Sequence, residues 1–229
     1  MKKIILAFFT LASFSLYAQS VDDVIAKNVE ALGGAAKLAS LNTAIMSGNM
    51  TSSGTDFPIT MTKTQLKGMR IGFEVMGTSN YQLANTEKAF AFLPIMQMPE
   101  PKEVDADKFK FTIPKLDLQG NLFNYKQKGS TAELMPNEKL DGADHFKIKL
   151  TTKQGVVINY YVDAKTYMIA KDAMVGALPT GGDAETTYSN YKKNADGYML
   201  PYAIEIPNGP ITFDKIDTNV AVDENIYKP

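Results

Sequence analysis

The chain has 229 residues with 24 Lys and Arg against 25 Asp and Glu, one His, no Cys and no Trp, and a net charge of −1. That charge balance provides no field to draw in nucleic acid, the absent cysteine excludes disulfides, thiol nucleophiles and lipid-modified cysteine, and a single histidine argues against zinc sites and His-based catalysis. With 45% hydrophobic and 21% charged residues, the composition is that of a globular protein with a sizeable core, in one domain.

Residues 1–18 have the three parts of a secretory signal peptide. Met1-Lys2-Lys3 is a positive start, Ile4 to Leu11 is an apolar run extended through Phe14 and Leu16, and the small Ala18 precedes Gln19. The run is too short to span a bilayer, and no later stretch approaches eighteen consecutive apolar residues. The mature protein, residues 19–229, is expected to be a soluble, exported single domain without a transmembrane segment. In a Gram-negative source its compartment is the periplasm.

After the cut, Ser20 to Leu32 predicts a helix, because Val21, Val24, Ile25, Asn28, Val29 and Leu32 recur at three- and four-residue spacing. Ser20 with Asp23 resembles a capping box, and Gly33-Gly34 ends the helix. A second short helix is expected from Ala35 to Leu41. From Thr43 the period changes to two. Met69, Ile71, Phe73 and Val75 alternate with Arg70, Gly72, Glu74 and Met76. Phe146, Ile148 and Leu150 form one face of a strand, Val156, Ile158, Tyr160 and Val162 one face of the next, and Tyr202, Ile204 and Ile206 that of a third. Gln154-Gly155, Asp163 to Thr166 and Asp196-Gly197 are the turns between such strands. Ten to twelve strands are expected. The run Pro94 to Gly120 breaks the rhythm with four prolines and a charged stretch, and is expected to be a covering element with short helices near Val104–Lys108 and Leu116–Gly120.

One N-terminal helix and many antiparallel strands predict helix packed on sheet. So long a meander must curl, because strands twist. It either closes or leaves a concave face that a few short helices cannot fill, so an apolar cavity follows. Twelve Met, many of them in the first half, suit either an ordinary core or a wall that adapts to varied apolar ligands.

Several segments together resemble a known group. Ile25-Ala26-Lys27, Ala31-Leu32-Gly33-Gly34 and Leu38 are similar to the opening of secreted, outer-membrane lipoprotein-sorting-like proteins of Bacteroidetes type. Asp141-Gly142, Phe146 to Leu150, Gly155, Tyr160 to Asp163 and Thr166 resemble their central hairpins, and Thr187 to Tyr191, Gly197 and Leu200-Pro201 their later one. The resemblance is to the LolA/LolB-like superfamily. It implies an α+β, mainly antiparallel fold: an incomplete, half-open β-barrel whose apolar face is covered by helices, with acyl chains held between sheet and helices. Members of that superfamily include lipoprotein carriers, lipid-binding lipoproteins and a periplasmic stress regulator, so the fold does not name the ligand. This chain is longer than the carriers, lacks Trp, and lacks the cysteine that anchors the receptor.

No catalytic signature such as G-x-S-x-G, a phosphate-binding Gly-Lys loop or H-E-x-x-H is present. His145 reads as a surface residue on the polar side of its strand, Asp163 as a turn former, and Gly181-Gly182 as a hairpin loop. Arg70 is the chain's one arginine; its fork suits either a structural salt bridge or a ligand head group. The expectation is therefore a non-enzymatic periplasmic carrier or binder of a lipoprotein or other acylated ligand, without cofactor or metal, monomeric, with an envelope membrane receptor as a further partner. The alternative is an envelope regulatory or protein-interaction module on the same fold. Alternation nominates Met69, Ile71, Phe73, Val75, Phe90, Phe92, Met96, Met98, Phe146, Ile148, Val156, Ile158 and Tyr160 as cavity lining; a one-residue slip in any strand turns its set outward.

Overall fold

Helix α1 (Val21–Ala31) starts where the capping box places it. The Ser20 hydroxyl accepts from the Asp23 N–H at 3.1 Å, and the Asp23 carboxylate accepts from the Ser20 N–H at 3.0 Å. Gly33, at φ 115, turns the chain into the short helix α2 (Ala35–Ala39). The computed structural model describes residues 19–52 and 54–229, so the signal-peptide reading of residues 1–18 lies outside the described residues. No helix among the described residues is long and apolar enough to cross a membrane.

All strands join one antiparallel sheet, β1 (Thr43–Ser52), β2 (Thr55–Thr64), β3 (Gly68–Val75), β4 (Thr78–Asn85), β5 (Ala89–Phe92), β6 (Lys102–Glu103), β7 (Thr131–Leu140), β8 (Ala143–Thr151), β9 (Val157–Asp163), β10 (Ile169–Met174), β11 (Ala184–Lys193), β12 (Met199–Ile206) and β13 (Gly209–Thr218). Their spatial order is β6-β5-β4-β3-β2-β1-β13-β12-β11-β10-β9-β8-β7. The sequence count of ten to twelve falls short because β6 lies inside the charged, proline-rich run. Only two residues pair there, Glu103 with Phe90 and Lys102 with Ala91, too few for a period to register.

This topology places the covers. Strands β6 and β7 are the two edges of an unclosed sheet, so the chain between them must travel from one edge to the other. It does so across the concave side. Helix α3 (Ala106–Phe109) and the 3₁₀ turn Ile113–Leu116 replace the two short helices expected nearby. A polar clasp pins this crossing to the β2–β3 hairpin. The Gln65 amide oxygen accepts from the N–H groups of Leu118 and Gln119 at 2.6 and 3.1 Å, and its nitrogen donates to Asp117 at 2.8 Å. Lys128 completes the clasp at 2.5 Å from the other oxygen of the buried Asp117.

Three apolar clusters divide the concave side. Val24 and Ile25 of α1, with Leu122 and Tyr125 of the crossing segment, pack on Ile148, Leu150, Val156, Ile158 and Val162. Leu116, with Val104, Phe109 and Ile113, packs on Met69, Ala84 and Ala89. Between them Ile59, Met61, Tyr202, Ile211, Phe213 and Ile216 make a cluster from strand residues alone. The sheet bends enough to pack on itself there, and the register shift between Ser47 and Gly48 helps it bend. A Cβ at Gly48 would collide with the Thr212 main chain, so only glycine permits that approach.

The convex side carries its own small cover. The C-terminal 3₁₀ turn Glu224–Tyr227 lies over β2–β4, where the buried Tyr227 hydroxyl and the Thr64 hydroxyl are 2.9 Å apart. One local reading is corrected. His145 is buried, 4% exposed, with Nδ1 2.9 Å from the Ala143 carbonyl oxygen. It faces Asp163 across β8–β9, and the Asp163 turn folds back over that strand end. Asp163 is the turn former expected: one carboxylate oxygen accepts from the N–H groups of Lys165 and Thr166 at 3.0 and 2.7 Å.

Candidate ligand-binding hollow

The concave wall follows from strand pairing. Met46 pairs with Met61 and Met61 with Ile71, so these three lie in one row. Ile59 pairs with Phe73 in the next row, and Phe57 meets Phe73 at 6.1 Å between ring centroids. Met50 pairs with Phe57 and Ile211, and Ile211 with Ile204. Met46, Met50, Phe57, Ile71, Phe73, Leu200, Ile204 and Ile206 are only half-buried, so an apolar surface stays open between the two covered clusters. At the side, a cleft of about 500 Å³ separates α1 from the segment Leu122–Gln127, with Ile25, Val29, Leu122 and Tyr125 in its walls.

The predicted lining residues separate by this register. Met69, Ile71, Phe73, Val75, Phe146 and Tyr160 belong to the concave face. Of the residues on that face, Ile148, Val156, Ile158 and Tyr160 are buried as core in the cluster that includes Val24 and Ile25 of α1, and Met69 is buried in the cluster around Leu116. Phe90 and Phe92 are corrected: they pair with Leu83 and Tyr81 on the convex face, while Ala89 and Ala91 point inward. Strand β5 has four residues, and its aromatic phase looked like a lining phase because nothing local sets its register. Met96 is 71% exposed on a 3₁₀ turn, and Met98 is half-buried just beyond it. Arg70 also faces outward. Its guanidinium stacks on Tyr81, 3.9 Å from the ring centroid, and donates to the Ile226 carbonyl at 3.2 Å. It forms neither a salt bridge among the described residues nor a contact with the hollow.

The sequence reading missed a polar group set into this wall. Lys63 continues the inward phase of Phe57, Ile59 and Met61, and its ammonium donates to the Lys115 main-chain carbonyl at 3.0 Å. Asp172 comes from β10, opposite Tyr160 on β9. The Tyr188 hydroxyl donates to Asp172 at 2.5 Å, the Asn121 amide donates to the Tyr160 hydroxyl at 3.1 Å, and the Tyr191 hydroxyl donates to the Ile169 carbonyl at 2.9 Å. Burial, reinforced by Lys115, pushes the Lys63 ammonium down to about 8. Burial also lowers Lys115 and lifts the Asp172 carboxyl to about 6 against the pull of Tyr188 and both lysines. Tyr160, Tyr188 and Tyr191 are raised, first by burial and then by the Asp172 charge. Lys63, Asp172, Tyr188 and Tyr191 are nevertheless only half-buried in area, and Lys115 is exposed. Strong desolvation with open surface is the combination found in groups that line a hollow rather than sit in a packed core. The signal available in sequence was a charged residue in a strand's apolar phase, as at Lys63 after Met61.

No family model matches the chain, and no curated protein matches it. Solved structures do. A crystal structure of an outer-membrane lipoprotein-sorting protein domain from Vibrio parahaemolyticus is similar at 13% identity and TM-score 0.54, covering 90% of this chain and 95% of that one. A LolA superfamily protein from Nitrosomonas europaea is similar at 13% identity and TM-score 0.55, covering 92% and 98%. A DUF1329 family protein from Desulfovibrio piger is similar at 12% identity and TM-score 0.59, covering 92% and 98%. These likenesses show the fold: the chain has a LolA-like fold, an open antiparallel barrel with few helices.

Proposed function

We propose that the protein is a non-enzymatic, periplasmic carrier or binder of an acylated or otherwise hydrophobic ligand, held against the concave wall. The observation that carries this reading is the half-buried patch of Met46, Met50, Phe73, Ile204 and Ile206, with Phe57 beside Phe73; the patch belongs to the cluster built from strand residues and to neither of the clusters that include helical residues. A sheet that buries its neighbours so thoroughly on both sides leaves this surface wet only at a cost, and each acyl CH₂ laid on it recovers about 0.8 kcal/mol. The fold shared with the Vibrio lipoprotein-sorting domain and the Nitrosomonas LolA superfamily protein supports the same reading. Entry and release would require the crossing segment to shift, and that shift would break the Gln65 hydrogen bonds to Asp117, Leu118 and Gln119 that pin it to the β2–β3 hairpin. Native mass spectrometry of gently purified protein tests the proposal, together with titration by a fluorescent acyl probe. A co-purifying lipid or saturable uptake supports it; a lipid-free protein that takes up no acyl probe overturns it.

A further inference from the structure

Two lysines at the end of the apolar wall, Lys63 and Lys115, have no ion-pair partner among the described residues. Lys63 comes from β2, Lys115 from the crossing segment and Asp172 from β10. The Lys63 ammonium reaches the Lys115 main chain at 3.0 Å, and both lysines feel the Asp172 charge. Asp172 is already engaged by the Tyr188 hydroxyl. Among the described residues, neither Lys63 nor Lys115 has a carboxylate oxygen within 4.0 Å, whereas ten other ion pairs form. The one hydrogen bond that Lys63 makes is to the Lys115 carbonyl, and the Lys115 ammonium makes none among the described residues.

Desolvating an ammonium without a counter-charge is costly, so folded proteins pair such groups or keep them in water. Here Lys63 points inward at the end of an apolar wall, half-buried and bonded only to the Lys115 main-chain carbonyl, and the exposed Lys115 side chain has no carboxylate partner either. One step along β2 from Lys63, Met61 lies in a row with Met46 and Ile71. A ligand with an acyl chain on that row would bring its terminal group to Lys63.

We propose that the hollow takes a single-headed anionic amphiphile, with its carboxylate or phosphate monoester between the Lys63 and Lys115 ammonium groups and its chain on the wall beside Met46, Ile71 and Phe73. This inference rests on the acyl-binding reading above and adds the head-group class to it. The Tyr160 and Tyr188 hydroxyls border the same space, with Asp172 setting an upper limit on the negative charge tolerated. Arg70 takes no part, being on the other face.

The test measures binding at neutral pH of four ligands with the same chain: oleate, 1-oleoylglycerol 3-phosphate, monoolein and oleyl alcohol. One or both anionic ligands are expected to bind at least about tenfold more tightly than the neutral pair, a difference of ~1.4 kcal/mol. Whichever anion prevails identifies the head as carboxylate or phosphate. Lys63→Met and Lys115→Met should each close that gap while leaving neutral-ligand affinity intact, and Asp172→Asn should widen it. Retained neutral binding shows that a variant is folded; if Lys63→Met does not fold, the exposed Lys115 carries the same test. Equal binding of anionic and neutral ligands by the native protein overturns the head-group site and leaves acyl binding standing. No binding of any of the four overturns both.

Discussion

The Tyr227 ring lies directly on the Cα of Gly68, so closely that a Cβ at that position would overlap the ring carbons. The contact closes the convex face of β2–β4, and the hydroxyl–hydroxyl bond to Thr64 holds the ring there. Gly68→Ala is therefore expected to destabilise the fold by ~1–3 kcal/mol through overpacking. Tyr227→Phe should cost less, about 1 kcal/mol, because only one hydrogen bond is lost. Urea unfolding at constant m-value checks both. Equal stability of Gly68→Ala and the native protein would contradict the close approach.

A second prediction concerns pH. Lys63 faces Lys115, Asp117 and Asp172, and burial holds its ammonium down at about 8. A lysine depressed in the folded state contributes stability above its unfolded value near 10.5, and that contribution is lost as pH falls through about 8. Asp172 faces Tyr188, Lys115 and Lys63 and is raised to about 6. Its contribution is fully present below its ordinary 3.8 and is lost as pH rises through about 6. Between those two values both groups are charged and the empty hollow is at its most costly. Lys63→Met should stabilise the ligand-free protein in that window by ~1–3 kcal/mol, with the gain shrinking above pH 8. Thermal unfolding of native and variant protein from acid to alkaline pH measures the difference. A gain that is constant across the range would sink the account.

The third prediction separates two phenylalanines that look alike in sequence. Phe73 is on the concave wall beside Phe57, and Phe90 is on the convex face against Leu83. Phe73→Ala should weaken acyl-probe binding by about tenfold, equivalent to ~1.4 kcal/mol. Phe90→Ala should leave probe affinity unchanged, even where it lowers stability. Fluorescence titration of the two variants decides, and equal losses at both positions would argue against binding on the concave face.

Much of the fold was legible along the chain because it depends on near neighbours. Ser20 and Asp23 satisfy each other's amides within one helical turn, and Gly33 ends that helix by its backbone freedom. The alternation of Met69, Ile71 and Phe73 marks a strand with one wall-facing side, and Asp163 folds its own turn. The phase of β5 was not legible. Four residues with two aromatics and two alanines fit either face, and only pairing with β4 turns Phe90 and Phe92 outward.

The candidate site divides in the same way. Sequence by itself determined the helix caps, the long antiparallel meander, the covering segment and the apolar phase of most strands, because those depend on turn chemistry and on a period of two. Tertiary structure alone brought Lys63, Lys115 and Asp172 near enough for their charges to act on one another. They belong to β2, the crossing segment and β10, and nothing local in any of the three elements points to the other two. Their desolvation and mutual influence exist only once the sheet curls and the chain between its two edges crosses the concave side. Charge interaction follows distance in space and access to water, and neither is encoded in separation along the chain.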